Sequence, residues 1–355
     1  MAVNINFWKN RRVLITGHTG FKGAWLSLWL QQLQADLCGI ALSPSTQPNL
    51  FSLASVAQNM QSYIADVRDF NQIHKIIHDF KPEVIFHMAA QPLVRYSYQH
   101  PVETYATNVM GTVHLLESAK ICDSVQAVVN VTTDKCYRNQ EWIWGYREDE
   151  TLGGFDPYSN SKACSELVTS AYRNSFYEKN KKGLASARAG NVIGGGDWSE
   201  DRLIPDIMKS IIAQKPVIVR NPKAIRPWQH VLEPLSAYLL LAEKLIKDKT
   251  RYSQAWNFGP FSQDTVSVEW LVKKILTTFE NNRVEFMIEH NPQDLHEAHF
   301  LKLDITKATT ELSWKPQLTI DETIKWTVDW YQAWLLKKEM RAYTIEQIEQ
   351  YQQLL

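Results

Sequence analysis

Short apolar runs alternate with longer amphipathic stretches through the first half of the chain. The run at 11–17 (RRVLITG) is apolar on both faces and ends in glycine, as a buried parallel strand does. The segment 21–34 (FKGAWLSLWLQQLQ) then carries apolar residues at helical spacing. Strand-like runs recur at 36–42, 83–90, 125–131 and 183–190, with a further strand region just before 65–69. Helices are predicted over 70–80, 101–120 and 158–179. Strands alternating with helices imply a parallel sheet covered on both faces, and right-handed crossovers make it doubly wound.

The texture changes after residue 190. The stretch 191–206 (NVIGGGDWSEDRLIPD) is rich in Gly and Asp and reads as a loop entering a short helix. Beyond it the elements are shorter and tryptophan is frequent, which predicts a second, smaller domain. The stretch near 228–258 is expected to return to the sheet. The expected fold is therefore α/β: a Rossmann-type domain over 1–190, joined again by 228–258, and a smaller C-terminal α/β substrate domain over 191–227 and 259–355.

Composition acts mainly by exclusion. Lys plus Arg and Asp plus Glu number 38 each, giving no net charge. That argues against a broad basic footprint for nucleic acid or an anionic membrane, but allows a local arginine cluster around a phosphate. Cys38, Cys122, Cys136 and Cys164 form no C-x-x-C pair and read as free thiols of a reducing compartment. No apolar segment precedes Arg11–Arg12 as a secretory signal would require, and no run is long enough to span a bilayer. A cytoplasmic protein is expected.

The chemistry begins at TGHTGFKG, which sets Gly17, Gly20 and Gly23 between the first strand and the first helix. Glycines allow a tight turn and close approach of the backbone to a pyrophosphate, and the helix start offers free N–H groups. In ADVRD (65–69), Asp66 by its carboxylate and Val67 by its backbone are candidates for an adenine edge, because Asp69 is the better cap for the next helix. The second strand ends IALSPST, without the acid that commonly holds a ribose 2′-OH. Ser43, Ser45 or Thr46 can bond that hydroxyl, and no arginine follows to attract a 2′-phosphate, so NAD is favoured over NADP.

Tyr158 and Lys162 in YSNSK stand at i and i+4, on one helix face. A free phenol is a poor base near neutral pH, and a nearby ammonium and a cationic nicotinamide favour its anion. Thr133 at the end of the 125–131 strand completes a hydroxyl–phenol–ammonium set.

With these motifs the chain resembles the extended short-chain dehydrogenase/reductase superfamily, through TGHTGFKG, ADVRD, HMAAQ (87–91), NVMGT (108–112), YSNSK, RAGNVIGGGD (188–197), RPWQHV (226–231) and NFG (257–259). The resemblance covers nearly the whole chain. It implies that Phe21, Lys22, Ala89, Ala90, Gln91, Thr132 and Arg188 line the cofactor and that Asn108 braces the neighbouring strand. It implies further that Thr133 polarises a substrate hydroxyl, Tyr158 is the base, and Lys162 holds the nicotinamide ribose.

Asp134 and Lys135 follow Thr133 directly. A nucleotide-sugar 4-epimerase needs only the Thr–Tyr–Lys set; two further ionisable groups point to two further proton transfers. A 4,6-dehydration has that requirement: C4 is oxidised, a base takes the C5 proton, an acid protonates the C6 hydroxyl, water leaves, and hydride returns to C6. Asp134 is placed as the acid. Lys135 is placed to take the C5 proton or to orient a water, with a structural Asp134–Lys135 ion pair as the plainer reading. Most nucleotide-sugar 4,6-dehydratases carry Glu after that Asp. TTDKCY, RPWQHVLEPLSAYL (226–239), HEAHFLKLD (296–304) and SPSTQPNLF (43–51) resemble instead the branch acting on CDP-glucose, which implies NAD, CDP-glucose and a role in deoxysugar and lipopolysaccharide O-antigen precursor synthesis.

For the substrate diphosphate, Arg226 is the leading cation by the same resemblance. Arg202 and Arg220 are candidates whose alternative is a solvated surface. Asn191, Asn257 and Glu297 are candidate substrate contacts, and Trp198 or Trp228 can stack near the base or simply fill the core. HEAH (296–299) spaces its histidines by three, outside any catalytic-zinc pattern, so no metal is expected. A homodimer formed by helices 101–120 and 158–179 as a four-helix bundle is implied by the resemblance. The alternatives are a 4-epimerase, a dehydratase of UDP- or dTDP-glucose, and a non-catalytic NAD-binding sensor.

Overall fold

The computed structural model describes residues 3–280, 282–289 and 300–355. Seven strands form its main sheet: β1 (Arg12–Thr16), β2 (Asp36–Ala41), β3 (Gln61–Ile64), β4 (Val84–His87), β5 (Ala127–Val131), β6 (Gly183–Ala189) and β7 (Ala255–Phe258). Their spatial order is β7–β6–β5–β4–β1–β2–β3, and every pair is parallel. The chain reverses its direction of travel across the sheet between β1 and β4. A crevice forms at the carboxyl ends of the strands at such a point.

The pleat sorts the core into two layers. Val13, Ile15, Ala127, Val129, Val131, Ala185, Ala187 and Ala189 face one side, with helix α1 (Phe21–Gln32). Leu14, Val128 and Leu184 face the other, with α2 (Phe70–Phe80) and α3 (Gly111–Ile121). Alternation along a strand dictates this division. The same alternation sends Asn130, Ser186 and Arg188 toward helix α4 (Pro157–Tyr172), where Asn130 donates to Ser165 at 3.0 Å and to Thr169 at 2.7 Å.

The helix expected over 70–80 forms with those bounds, capped by Asp69, whose carboxylate accepts from the Gln72 N–H at 3.0 Å. The helix expected over 101–120 is interrupted. Pro101–Tyr105 passes through a wide π turn, Ala106–Met110, into α3. Such insertions cluster at functional sites, and this one carries Asn108. Helix α4 starts on Pro157, capped by Asp156 accepting from Ser159 N–H at 2.9 Å, and ends in a second π turn, Arg173–Tyr177. The strand expected over 83–90 stops at His87; Met88 N–H is shared between the Thr16 carbonyl and hydroxyl, at 3.1 and 3.0 Å, and Ala89 N–H reaches only the hydroxyl, at 3.1 Å.

Beyond β6 the chain builds small pairings around α5 (Leu203–Ala213): Val192–Ile193 with Gln229–His230, Ile225–Arg226 with Val266–Ser267, and Val217–Val219 with Phe286–Ile288. It returns to the main sheet through α6 (Leu232–Lys247) and β7. Of the last helices, α7 (Ile320–Leu335) stays beside the small pairings, where Trp326 meets His230 edge-on at 5.7 Å, whereas α8 (Met340–Gln352) folds back on α1: Trp29 meets Tyr351 edge-on at 5.8 Å, and Arg341 donates to Gln31 Oε1 at 2.6 Å. Among the described residues no helix is long and apolar enough to cross a membrane.

Candidate active site

The turn after β1 is built for close approach. Gly17 has φ +81°, and a Cβ there would lie 2.9 Å from Ala89 N. A Cβ on Gly23 would lie 2.1 Å from Gly17 O. No side chain caps α1 at Gly20, so its first N–H groups stay available to an anion. Backbone cradle and open helix start together fit a dinucleotide pyrophosphate. Lys22 lines the cleft above this turn; burial lowers its pKa to about 7, assisted by Lys162 and Arg202 and opposed by Asp134.

At the end of β5 the chain enters a single 3-10 turn, Asp134–Cys136, with Thr133 as its cap. Thr133 Oγ1 donates to Asp134 Oδ1 at 2.9 Å and also faces the Tyr158 phenol. Asp134 is 1% exposed, and its Oδ2 is buried without a partner. Burial raises its pKa, against the opposing effects of Lys135, Thr133 and Arg226. Lys135 lines the same cleft, and Asp134 Oδ2 is not engaged by it. Tyr158 is pushed up to about 12 by burial. One turn on, Lys162 donates to Val131 O at 3.2 Å; burial lowers it to about 8, while the Glu166 carboxylate works the other way.

Glu166 anchors a buried network behind these groups. Its oxygens accept from Thr132, from Ser186 at 2.7 Å and from Arg188 at 2.8 Å. Burial alone would raise its pKa, but the charge and hydrogen bonds of Arg188 and the two hydroxyls outweigh it and hold the carboxyl below its ordinary value. Arg188 also donates to the Tyr137 hydroxyl at 2.7 Å, and Tyr137 donates to Asn257 Oδ1 at 2.7 Å.

The cleft, of about 780 Å³, unites Phe21, Lys22, Thr132, Thr133, Asp134, Lys135 and Tyr158 with Asn191, Arg202, Arg220, Arg226 and Trp228 from the second half. Asn191 Oδ1 and Trp228 Nε1 are buried without partners. Arg202 pairs with Asp197 at 2.9 Å, and Asp201 stands 3.8 Å from Arg220 and 4.0 Å from Arg95. Arg95, Lys209 and Asn221 also line the cleft, and Lys209 and Asn221 carried no local sequence signal. A basic residue just past the 87–91 motif was the one available hint for Arg95.

Several expected contacts sit elsewhere. Arg188 does not line the cleft; the pleat turns it under the sheet to Glu166. Asn257 is fully buried and donates to Tyr146 O at 2.8 Å and Asp304 O at 3.2 Å. Asp66 is engaged by Arg68 through three bonds of 2.6–2.8 Å, while Val67 O meets His114 Nδ1 at 3.1 Å. Asn108 clamps the Gln91 backbone, accepting from its N–H at 2.8 Å and donating to its carbonyl at 3.1 Å. The Gln91 side chain itself closes the 91–93 turn by accepting from Leu93 N–H at 2.6 Å, and Ala89 and Ala90 remain half-buried at the strand end. Thr46 donates to Pro48 O at 3.0 Å, leaving Ser43 and Ser45 exposed. Trp198 packs edge-on against Tyr331 and Trp334, at 5.2 and 4.7 Å, outside the cleft. Glu297 lies outside the described residues. No cluster of metal-ligating side chains occurs among the described residues.

Residues 14–327 match the family model described as GDP-mannose 4,6 dehydratase. The chain is 52% identical over 354 residues to the CDP-glucose 4,6-dehydratase of Salmonella typhimurium, covering 98% of each chain. Among solved structures, it superposes on a UDP-glucose-4-epimerase of Stenotrophomonas maltophila with bound NAD at a TM-score of 0.80, with 21% identity, covering 92% of this chain and 99% of that one. It superposes on the dTDP-glucose 4,6-dehydratase of Bacillus anthracis in complex with NAD at 0.75, with 23% identity, covering 91% and 96%.

Proposed function

The chain belongs to the GDP-mannose 4,6-dehydratase family, and from that premise we propose that it converts CDP-D-glucose to CDP-4-dehydro-6-deoxy-D-glucose and water. The observation that carries the reading is the meeting of a buried, unpartnered carboxyl, the Lys135 amino group and the Tyr158 phenol on one cleft. The 52% identity to a CDP-glucose 4,6-dehydratase supports the nucleotide and the reaction together.

NAD would be held by the Gly17–Gly23 turn, whose bare backbone fits its pyrophosphate, and would supply a two-electron acceptor for C4 and donor for C6. The chain's own groups move the protons. Tyr158 takes the O4 proton, with Thr133 orienting the hydroxyl and Lys162 favouring the phenolate. The C4 carbonyl acidifies C5–H, and Lys135, acting as the neutral amine, receives that proton. Asp134, which burial keeps prone to protonation, gives its proton to the C6 oxygen so that water leaves. Hydride returned to C6 and a proton returned from Lys135 to C5 complete the product, in which O4 stays a carbonyl oxygen; the proton that Tyr158 took passes through solvent to Asp134, which closes the balance. Arg202, Arg220 and Arg226 take the diphosphate, and Asn191 the sugar or diphosphate.

We assign the half formed by 1–190 and 228–258 to the cofactor and the small pairings to the nucleotide sugar. A homodimer through the 101–121 and 157–177 helices is supported by Val102, Leu167 and Phe176, which are 82%, 59% and 40% exposed. The product fits deoxysugar precursor synthesis in the cytoplasm. The test is incubation with NAD and CDP-, UDP- or dTDP-glucose in deuterated water. The expected result is a 4-keto-6-deoxy product labelled at C5 from CDP-glucose; a C4 epimer without C5 label would refute it.

A further inference from the structure

The carboxyl of Asp134 points at a place where the chain has no side chain. A Cβ built on Gly190 would lie 1.9 Å from Asp134 Oδ2, 2.2 Å from its Cγ and 2.7 Å from its Oδ1. Gly190 is not among the residues with positive φ, so its backbone would admit an alanine. The conflict is therefore with the carboxyl rather than with the turn.

The turn itself has little freedom to retreat. Gln229 Nε2 donates to Gly190 O at 3.1 Å and to Phe258 O at 3.0 Å. The Gln229 N–H donates to Asn191 O at 3.2 Å, and Val192–Ile193 continues as a parallel pairing with Gln229–His230. Asn191 follows with φ +43°, a conformation uncommon outside glycine. Clamped on one side and turned sharply on the other, the backbone leaves the carboxyl as the part that yields.

On the reading that the protein is a dehydratase, we propose that Gly190 is a positioning residue for the elimination: its missing side chain makes the room in which the Asp134 carboxyl sits at the cleft wall in the orientation the acid needs. Gln229 keeps the bare backbone in register beneath it. The carboxyl keeps Thr133 on Oδ1, and Oδ2, buried against the bare Gly190 backbone, has no protein partner, so the acid is not tied down by a donor. Oxidation at C4 uses Tyr158 and Lys162 on a different element and shares only Thr133 with the carboxyl, so displacing the carboxyl should reduce elimination more than oxidation.

The test is a cycle of G190A, Asp134→Ala and the double variant in the full-length protein. In deuterated water with CDP-glucose and NAD, G190A should lose dehydration by roughly 10²-fold, the lower end of a general acid's contribution. Recovered CDP-glucose should still gain label at C5, so the ratio of exchange to dehydration rises. Thermal melting gives an independent arm: G190A should lower the midpoint of the parent but leave that of Asp134→Ala unchanged, since the conflicting atoms are gone. Dehydration equal to the parent, an equal fall of exchange and dehydration, or the same melting shift in both backgrounds overturns the proposal. If the parent itself does not dehydrate CDP-glucose, the functional reading fails, and the melting cycle still decides whether Gly190 acts through Asp134.

Discussion

Tyr158 starts from an unfavourable position for a base, since burial lifts its phenol to about 12. Its use depends on the charge of Lys162, which burial has already lowered to about 8. Lys162 loses its proton as pH rises through that value, so kcat should fall on the alkaline side. Glu166 opposes the fall. Glu166→Gln removes an anion, so the alkaline limb of the pH–kcat profile should move to lower pH; an unmoved limb would detach Glu166 from Lys162. The same variant leaves Arg188 buried and unpaired, which should cost about 3–5 kcal/mol in denaturant unfolding. The sign follows from linkage: the Glu166 carboxyl is held below its ordinary 4.5, so its stabilisation is present above that value and is lost as pH falls through the lower, folded one. Acid unfolding of the variant should therefore be less steep. Tyr158→Phe should reduce kcat about 10²- to 10⁴-fold with NAD binding retained by calorimetry.

Helix α4 and strand β6 show how elements assemble the site. Tyr158, Lys162 and Glu166 repeat every four residues on one helix face, and Ser186 and Arg188 meet that face through the two-residue repeat of the strand. The turn after β1 supplies the other component. Gly17→Ala forces a side chain into φ +81° and against Ala89 N, so NAD affinity should weaken by about 1–2 kcal/mol in a fluorescence titration. Much of this was legible in the sequence. Helix 70–80 carries a strong stripe, Ile73, Ile76, Ile77 and Phe80, and a clean Asp69 cap. Strand β3 was only a region, because an edge strand reading QSYI is largely exposed and lacks an apolar pattern. The π turns left no trace in periodicity. The Thr133–Lys135 triplet was readable because its members are adjacent. For Arg188 the motif gives the neighbourhood, whereas the pleat decides the face and sets it against Glu166.

Across the whole molecule, the cleft is the seam where the sheet's carboxyl edge meets the small pairings, and sequence reading reaches it least. Arg95, Lys209, Asn221 and Gly190 become neighbours of the catalytic groups only in the folded chain. Arg220 is a test of the division of labour across that seam. It is partly exposed beside Asp201 and remote from the phosphate turn, so Arg220→Ala should raise KM for CDP-glucose about tenfold, the loss of one charge-assisted bond, with NAD affinity unchanged. The central claim, that oxidation and elimination share one pocket, is tested most directly with CDP-glucose carrying deuterium at C4. The account predicts product in which that deuterium has moved within the molecule to C6. Deuterium retained at C4 of an epimerised sugar, or no 6-deoxy product at all, would contradict it.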